Sequence, residues 1–94
     1  MKCLDDCHQY VIETVMGATE YLPFYKMSED GKKIDGVTNE EVISVLIHRL
    51  EKLNEKFFCP ENSFAIDNLR GALMWLARRT EDRTTRGVEG THQK

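Results

Sequence analysis

Ninety-four residues suffice for one small domain with limited capacity to bury its own surface. A net charge of −3 excludes a general polyanion-coating protein, and no run nears the ~18 apolar residues of a membrane span. Three cysteines, an odd number, behind an opening MKCLDDCHQY with no apolar leader argue against a disulfide framework and for a cytosolic protein.

Residues 4–16 leave two readings open. Leu4, Cys7, Val11 and Val15 have helical spacing, whereas QYVIET over residues 9–14 is rich in β-branched side chains and suits a short strand or extended arm. Gly17 ends either element. Cys3, Cys7 and His8 invite a zinc reading, in which Cys59 or His92 would have to complete the four ligands of a structural site. Reduced thiols, packed or at the surface, are the simpler reading, and no metal or cofactor is expected.

Residues 20–37 do not read as helix. Tyr21, Leu22, Phe24 and Tyr25 surround Pro23, which lacks a donor and restricts its neighbour. Asp30-Gly31 predicts a turn, and residues 32–34 return antiparallel in a β-hairpin or run as a looser arm. The aromatics beside Lys26, Lys32 and Lys33 are able to stack a base and hold its phosphate, or to pack onto a helix of this or a neighbouring subunit.

The T-x-x-E pattern at residues 38–41 is a capping box, and it predicts a helix from Asn39 to Lys56. Val42, Leu46, Leu50, Leu53 and Phe57 form one stripe, which Ile43, Val45 and Ile47 widen beyond a coiled-coil seam. His48, beside that face, reads as a packed or half-exposed residue rather than a catalytic one. In FFCPEN, residues 57–62, Pro60 pushes Cys59 out of helical angles. Pro60, Glu61 or Asn62 then opens a second helix, with Asn62 as a fair N-cap. Helices joined so briefly lie antiparallel.

In the second helix Ala65, Ile66, Leu69, Ala72, Leu73 and Leu76 share a face, and Met74 and Trp75 fall off it. Both helices carry more apolar residues than one seam hides. The surplus, including Ile43, Ile47, Met74 and Trp75, predicts a homo-oligomer. Arg79, Arg83 and Arg86 follow at i, i+4 and i+7, before Gly87 and Gly90. Five basic side chains against three acidic ones over residues 78–94 fit a focused anion site better than a broad DNA-binding patch. The competing reading is a solvated helix end whose arginines complement the macrodipole.

The opening TNEEV and the segments LNEKFFCPENSFAI, ALMWLARRTEDR and RGVEGTHQK resemble the helical hairpin of phage anti-CBASS and anti-Thoeris proteins, which sequester cyclic nucleotide signals. The resemblance covers residues 38–94. Two places depart from the pattern: Pro60 stands where a basic residue is expected, and Arg70-Gly71 where two acidic ones are. The resemblance implies a mainly α fold. An antiparallel two-helix hairpin over residues 38–94 would follow an N-terminal arm over residues 1–37, extended or short-helical, and the whole would assemble as a hexamer with ligand pockets between subunits. It implies that cyclic dinucleotides, and in some members cyclic trinucleotides or cyclic ADP-ribose isomers, are held in the bacterial cytosol without turnover. Neither DNA nor a membrane is an expected partner. Carried onto this chain, the resemblance assigns phosphate and ribose contacts to Arg83, Arg86, Gly87, Gly90 and Thr91. It assigns base stacking to Tyr10 and Tyr25, and a phosphate contact to Lys26.

Composition and periodicity alone equally allow a small helical assembly that binds another protein. An enzyme is not expected. There is no phosphate-cradling Walker loop, no GxSxG, no HExxH and no paired CxxC, and His8, His48 and His92 are dispersed.

Overall fold

A computed structural model of the chain describes residues 1–85. The chain divides into two compact units, Met1–Asn39 and Glu40–Lys94.

The first unit is a β-structure. Strands β1 (Lys2–Leu4), β2 (Gln9–Glu13) and β3 (Thr19–Pro23) form an antiparallel sheet in that order. β4 (Lys26–Met27) and β5 (Lys33–Ile34) make a second, two-stranded ladder. The open choice over residues 4–16 thus resolves to strand. The β-branched and aromatic run Tyr10-Val11-Ile12 fits a pleated surface. Its partner strand supplies Leu22 opposite Tyr10 and Tyr21 opposite Val11. A helix could not have recruited these residues across the turn. That turn is closed by Thr14, whose carbonyl accepts from the Gly17 amide at 2.9 Å and whose hydroxyl accepts from the Ala18 amide at 2.9 Å. Gly17 has φ +89°, the left-handed region that glycine enters without a Cβ penalty. Asp30-Gly31 turns the β4–β5 ladder as its sequence predicts. The Asp30 carboxylate accepts from the Lys32 amide at 3.1 Å, and Gly31 has φ +84°.

The one helical piece of this unit is a 3-10 turn over Asp5–Cys7, not the short helix allowed above. Asp5, Asp6 and Cys7 have φ of 50°, 53° and 67°. Left-handed backbone costs an L-residue about 1–2 kcal/mol each. Cys3 and Cys7 stand 5.2 Å apart at Cα and are joined as a disulfide, where free thiols or zinc ligands are the sequence-based expectation. Spacing could not show this, because it is the tight turn between β1 and β2 that folds Cys7 back onto Cys3. Cys59 is the free cysteine.

The second unit is the expected hairpin: α1 (Asn39–Lys56) and α2 (Pro60–Thr85). Pro60 is the first helical residue, where its missing N–H is no loss. Asn62 therefore lies inside the first turn and is not the cap. The Cys59 carbonyl takes the Asn62 amide at 3.0 Å. The seam differs from the predicted stripe. In α1 the series Ile43, Ile47, Leu50 and Asn54 is covered, with Val42 and Leu50 retained from the predicted stripe, and in α2 the series Ile66, Leu69, Leu73 and Leu76 is covered. Both series step by three and four as in a heptad seam. Only Ile47 and Ile66 are buried outright among the described residues. Leu46, Leu53 and Phe57, placed on the predicted stripe, are exposed instead. The two candidate stripes of α1 are nearly equally apolar, so periodicity could not choose between them. Asn54 breaks the tie. It lies on the covered stripe because its amide bridges the turn: its Oδ1 accepts from the Cys59 amide at 2.9 Å and its Nδ2 donates to the Ser63 hydroxyl at 3.1 Å. Asn54→Ala removes both bonds and leaves the Cys59 amide seeking a partner. The expected cost is about 1–2 kcal/mol in a denaturant melt. By contrast, the Glu51–Arg70 pair at 2.5 Å lies on the surface, so Arg70→Met should cost less than about 1 kcal/mol.

Candidate functional site

The predicted site residues fall into three groups. Tyr10, Tyr25 and Lys26 belong to the β-unit. Arg83 belongs to α2. Arg86, Gly87, Gly90 and Thr91 lie outside the described residues.

In the β-unit, register sets the geometry. Tyr10 sits opposite Cys3 on one side and Leu22 on the other, so the three share a sheet face. The Phe24 ring meets Tyr10 edge-on, with centroids 5.6 Å apart and planes at 83°. The Phe24 amide, bonded to the His8 carbonyl at 2.7 Å, carries the β2–β3 pairing one residue further. Tyr10 is thus half-covered and braced by its own unit. Tyr25 keeps its ring exposed while its amide donates to the Val37 carbonyl at 3.0 Å. The Val37 amide in turn donates to the Pro23 carbonyl at 2.9 Å, and Phe24 and Val37 form a parallel bridge. This clamp presents Tyr25 and Lys26 side by side in sequence from a fixed backbone.

Gly36 makes the clamp possible. A methyl group built there would overlap the carbonyl carbon of Phe24 and the amide nitrogen of Tyr25, and would stand 2.7 Å from the Phe24 oxygen. Lys26 is mostly covered, and its ammonium pairs with the Asp5 carboxylate. The hydrogen bond from Lys26, followed by its charge, holds the Asp5 carboxyl below the usual carboxylate range. Sequence reasoning singled out Lys26 but missed Asp5 and Gly36. The ion pair spans residues 21 apart in the chain, which no local pattern reveals.

In the hairpin, Arg83 continues the covered line of Leu73, Leu76 and Thr80 at steps of three and four. It is half-buried with its Nε closed off from solvent, whereas Arg79 is exposed. The guanidinium of Arg78 lies over the Trp75 ring at 5.1 Å, a cation–π contact that occupies one face of the indole. Spacing alone therefore overstates the likeness of Arg79 and Arg83, which differ in setting. His48, expected packed or half-exposed, is exposed on α1, in a shallow surface groove with Val45, Arg49 and Lys52.

Among the described residues no group of three or more His, Cys, Asp and Glu side chains is placed to hold a metal ion, and no helix is long and apolar enough to cross a membrane. The hairpin presents Val45, Leu53, Phe57, Phe58, Phe64, Met74 and Trp75 to solvent. Ile43 and Ile47, counted in the surplus above, are not part of that surface, because they form the seam.

Residues 25–81 match the hairpin domain of the Acb2/Tad1 family. The chain belongs to this family. The match begins at Tyr25, so it takes in β4 and β5 as well as both helices, and reaches further upstream than the resemblance read from residue 38. A 61-residue stretch is 52% identical to Thoeris anti-defense 1 of Bacillus phage SBSphiJ7. That stretch is 64% of this chain and 43% of the relative, so the alignment spans less than half of the relative's length. That relative is named for action against the Thoeris defence.

Proposed function

We propose that the protein binds cyclic oligonucleotide second messengers and sequesters them without cleaving them. Cyclic dinucleotides are the first ligand class and cyclic trinucleotides the second. The observation that carries this reading is the family match over residues 25–81, which takes in the hairpin and ends just before Arg83. The setting is the host bacterial cytosol, where a trap acts by exceeding its signal in concentration and releasing it slowly. The exposed apolar row of the hairpin supports a homo-oligomer, with a hexamer as its form and pockets between subunits. In those pockets Arg83, Arg86, Gly87, Gly90 and Thr91 contact phosphate and ribose. Tyr10 and Tyr25 stack on bases, and Lys26 meets a phosphate.

The test mixes purified protein with a panel of cyclic nucleotides, measures binding, then denatures the protein and assays what returns. Ligand recovered intact supports sequestration, and cleaved ligand refutes it. Arg83→Ala is expected to weaken binding by about 1.5–3 kcal/mol, the worth of a charge-assisted hydrogen bond to phosphate, with the helical signal unchanged. Unchanged affinity returns Arg83 to the hairpin seam. A second reading has its own support. The Bacillus phage relative is named for action against Thoeris, so cyclic ADP-ribose isomers belong in the same panel. Should nothing on the panel bind, the exposed side chains of Trp75 and Phe57 favour a protein partner.

A further inference from the structure

The turn between β1 and β2 carries three left-handed residues in succession, Asp5, Asp6 and Cys7, with no glycine or asparagine among them. Such a run persists only where its surroundings hold it. Three restraints are present. The Cys3–Cys7 disulfide closes the turn from outside. The Asp5 carbonyl accepts from the His8 amide at 3.1 Å and lies 3.1 Å from His8 Nδ1. The Asp5 carboxylate is docked on the Lys26 ammonium. Of the three, the covalent restraint alone can be cut by a reagent, and both of its cysteines are exposed to one. It also lies beside residues of the candidate site: Cys3 is the β1 partner of Tyr10, and Asp5 covers the charge of Lys26.

We propose that the Cys3–Cys7 disulfide is a thiol-sensitive latch that keeps Asp5 on Lys26, and that its reduction releases the carboxylate and uncovers the ammonium for an anionic ligand. Two thiols of a low-molecular-weight reductant supply two electrons and two protons. The S–S bond of the protein breaks, Cys3 and Cys7 become thiols, and the reductant leaves as its own disulfide. Freed of the crosslink, Asp6 and Cys7 return to right-handed or extended backbone, which re-aims the Asp5 side chain. Bridges exposed in reducing compartments are of the labile, regulatory kind. The use made of the uncovered Lys26 rests on the ligand-binding reading given above, whereas the latch itself does not.

The experiment uses the full chain in oxidised and dithiothreitol-reduced forms. Thiol alkylation should label Cys59 alone in the first and all three cysteines in the second. Three labelled cysteines after incubation with oxidised glutathione overturn the latch. An NMR titration of the Asp5 carboxyl comes next. It should titrate below the usual carboxylate range when oxidised and return towards that range when reduced, because the cation that depressed it has left. An identical titration in both forms also overturns the latch. Binding is then read with cyclic di-AMP at low ionic strength. Reduced protein is expected to bind about tenfold tighter, in keeping with one added charge-assisted hydrogen bond. Cys3→Ser/Cys7→Ser should copy the reduced form, and Asp5→Asn should bind alike with and without reductant. A moved carboxyl titration with unmoved affinity supports the latch and removes Lys26 from the ligand contacts, so the two ideas fail separately.

Discussion

Gly36→Ala is expected to dismantle the end of the β-unit where Tyr25 and Lys26 are displayed. Gly36 lies on the backbone of Phe24 and Tyr25, so an added Cβ meets main-chain atoms that no rotamer change can move aside. The Val37 amide and carbonyl on either side of this strip bond Pro23 and Tyr25, and both bonds need Gly36 to pass close by. Overpacking in a tight site costs about 1–3 kcal/mol when side chains can yield. Here only the backbone can yield, and the loss should reach about 3 kcal/mol or more. Amide spectra of the variant should lose the dispersed signals of residues 23–37 while those of α1 and α2 remain. A spectrum superimposable on the parent would refute the clamp. The substitution also separates the two groups of candidate ligand residues, because it disturbs Tyr25 and Lys26 and leaves Arg83 on an intact helix.

What the sequence made legible was punctuation and period. Thr38 with Glu41 marked the start of α1, Pro60 marked the start of α2, and Asp30-Gly31 marked the β4–β5 turn. Each of these acts within a few residues of itself, through a capping bond or a fixed φ. The line of Ile66, Leu69, Leu73 and Leu76 was legible too, because α2 offers no rival stripe of similar strength. Illegible were the features decided at a distance. Residues 9–13 became a strand because residues 19–23 were there to pair with them. Lys26 found Asp5, 21 residues away in the chain, and Gly36 owes its place to a backbone far from it in sequence. The seam of α1 was misread for a related reason. Leu46, Leu53 and Phe57 are as apolar as Ile43 and Ile47, and the bonds of Asn54 to Cys59 and Ser63 mark which side turns inward. A polar residue at a regular step within an apolar series was the available signal. Of the candidate site, the residue types were legible, but their partners were not.

The correction to the seam separates two kinds of apolar residue on the same helices, and the separation has a measurable consequence. Ile66 is the most buried side chain among the described residues, and Ile47 is its counterpart on α1. Ile66→Ala opens a cavity between two helices where Ile47 is the one other buried side chain among the described residues, and removal of such a buried side chain costs about 2–5 kcal/mol. The hairpin of this variant should therefore melt far below the parent at every protein concentration. Phe57 and Trp75 are large, apolar and mostly exposed, so they contribute little to the seam within one chain. Phe57→Ser and Trp75→Ser should leave the melt of the dilute, dissociated chain unchanged within about 0.5 kcal/mol, as for a surface position. Their effect should appear on self-association, as a lower mass in light scattering and the loss of a melting temperature that rises with concentration. Loss of helix in dilute Phe57→Ser would place that ring inside the fold of the single chain and restore the stripe of Val42, Leu46 and Leu53 as the seam. Parental mass and melting in both serine variants would leave the exposed row free of any role in assembly. The protein-partner reading would then be the one that explains why a small hairpin keeps Phe57 and Trp75 in water.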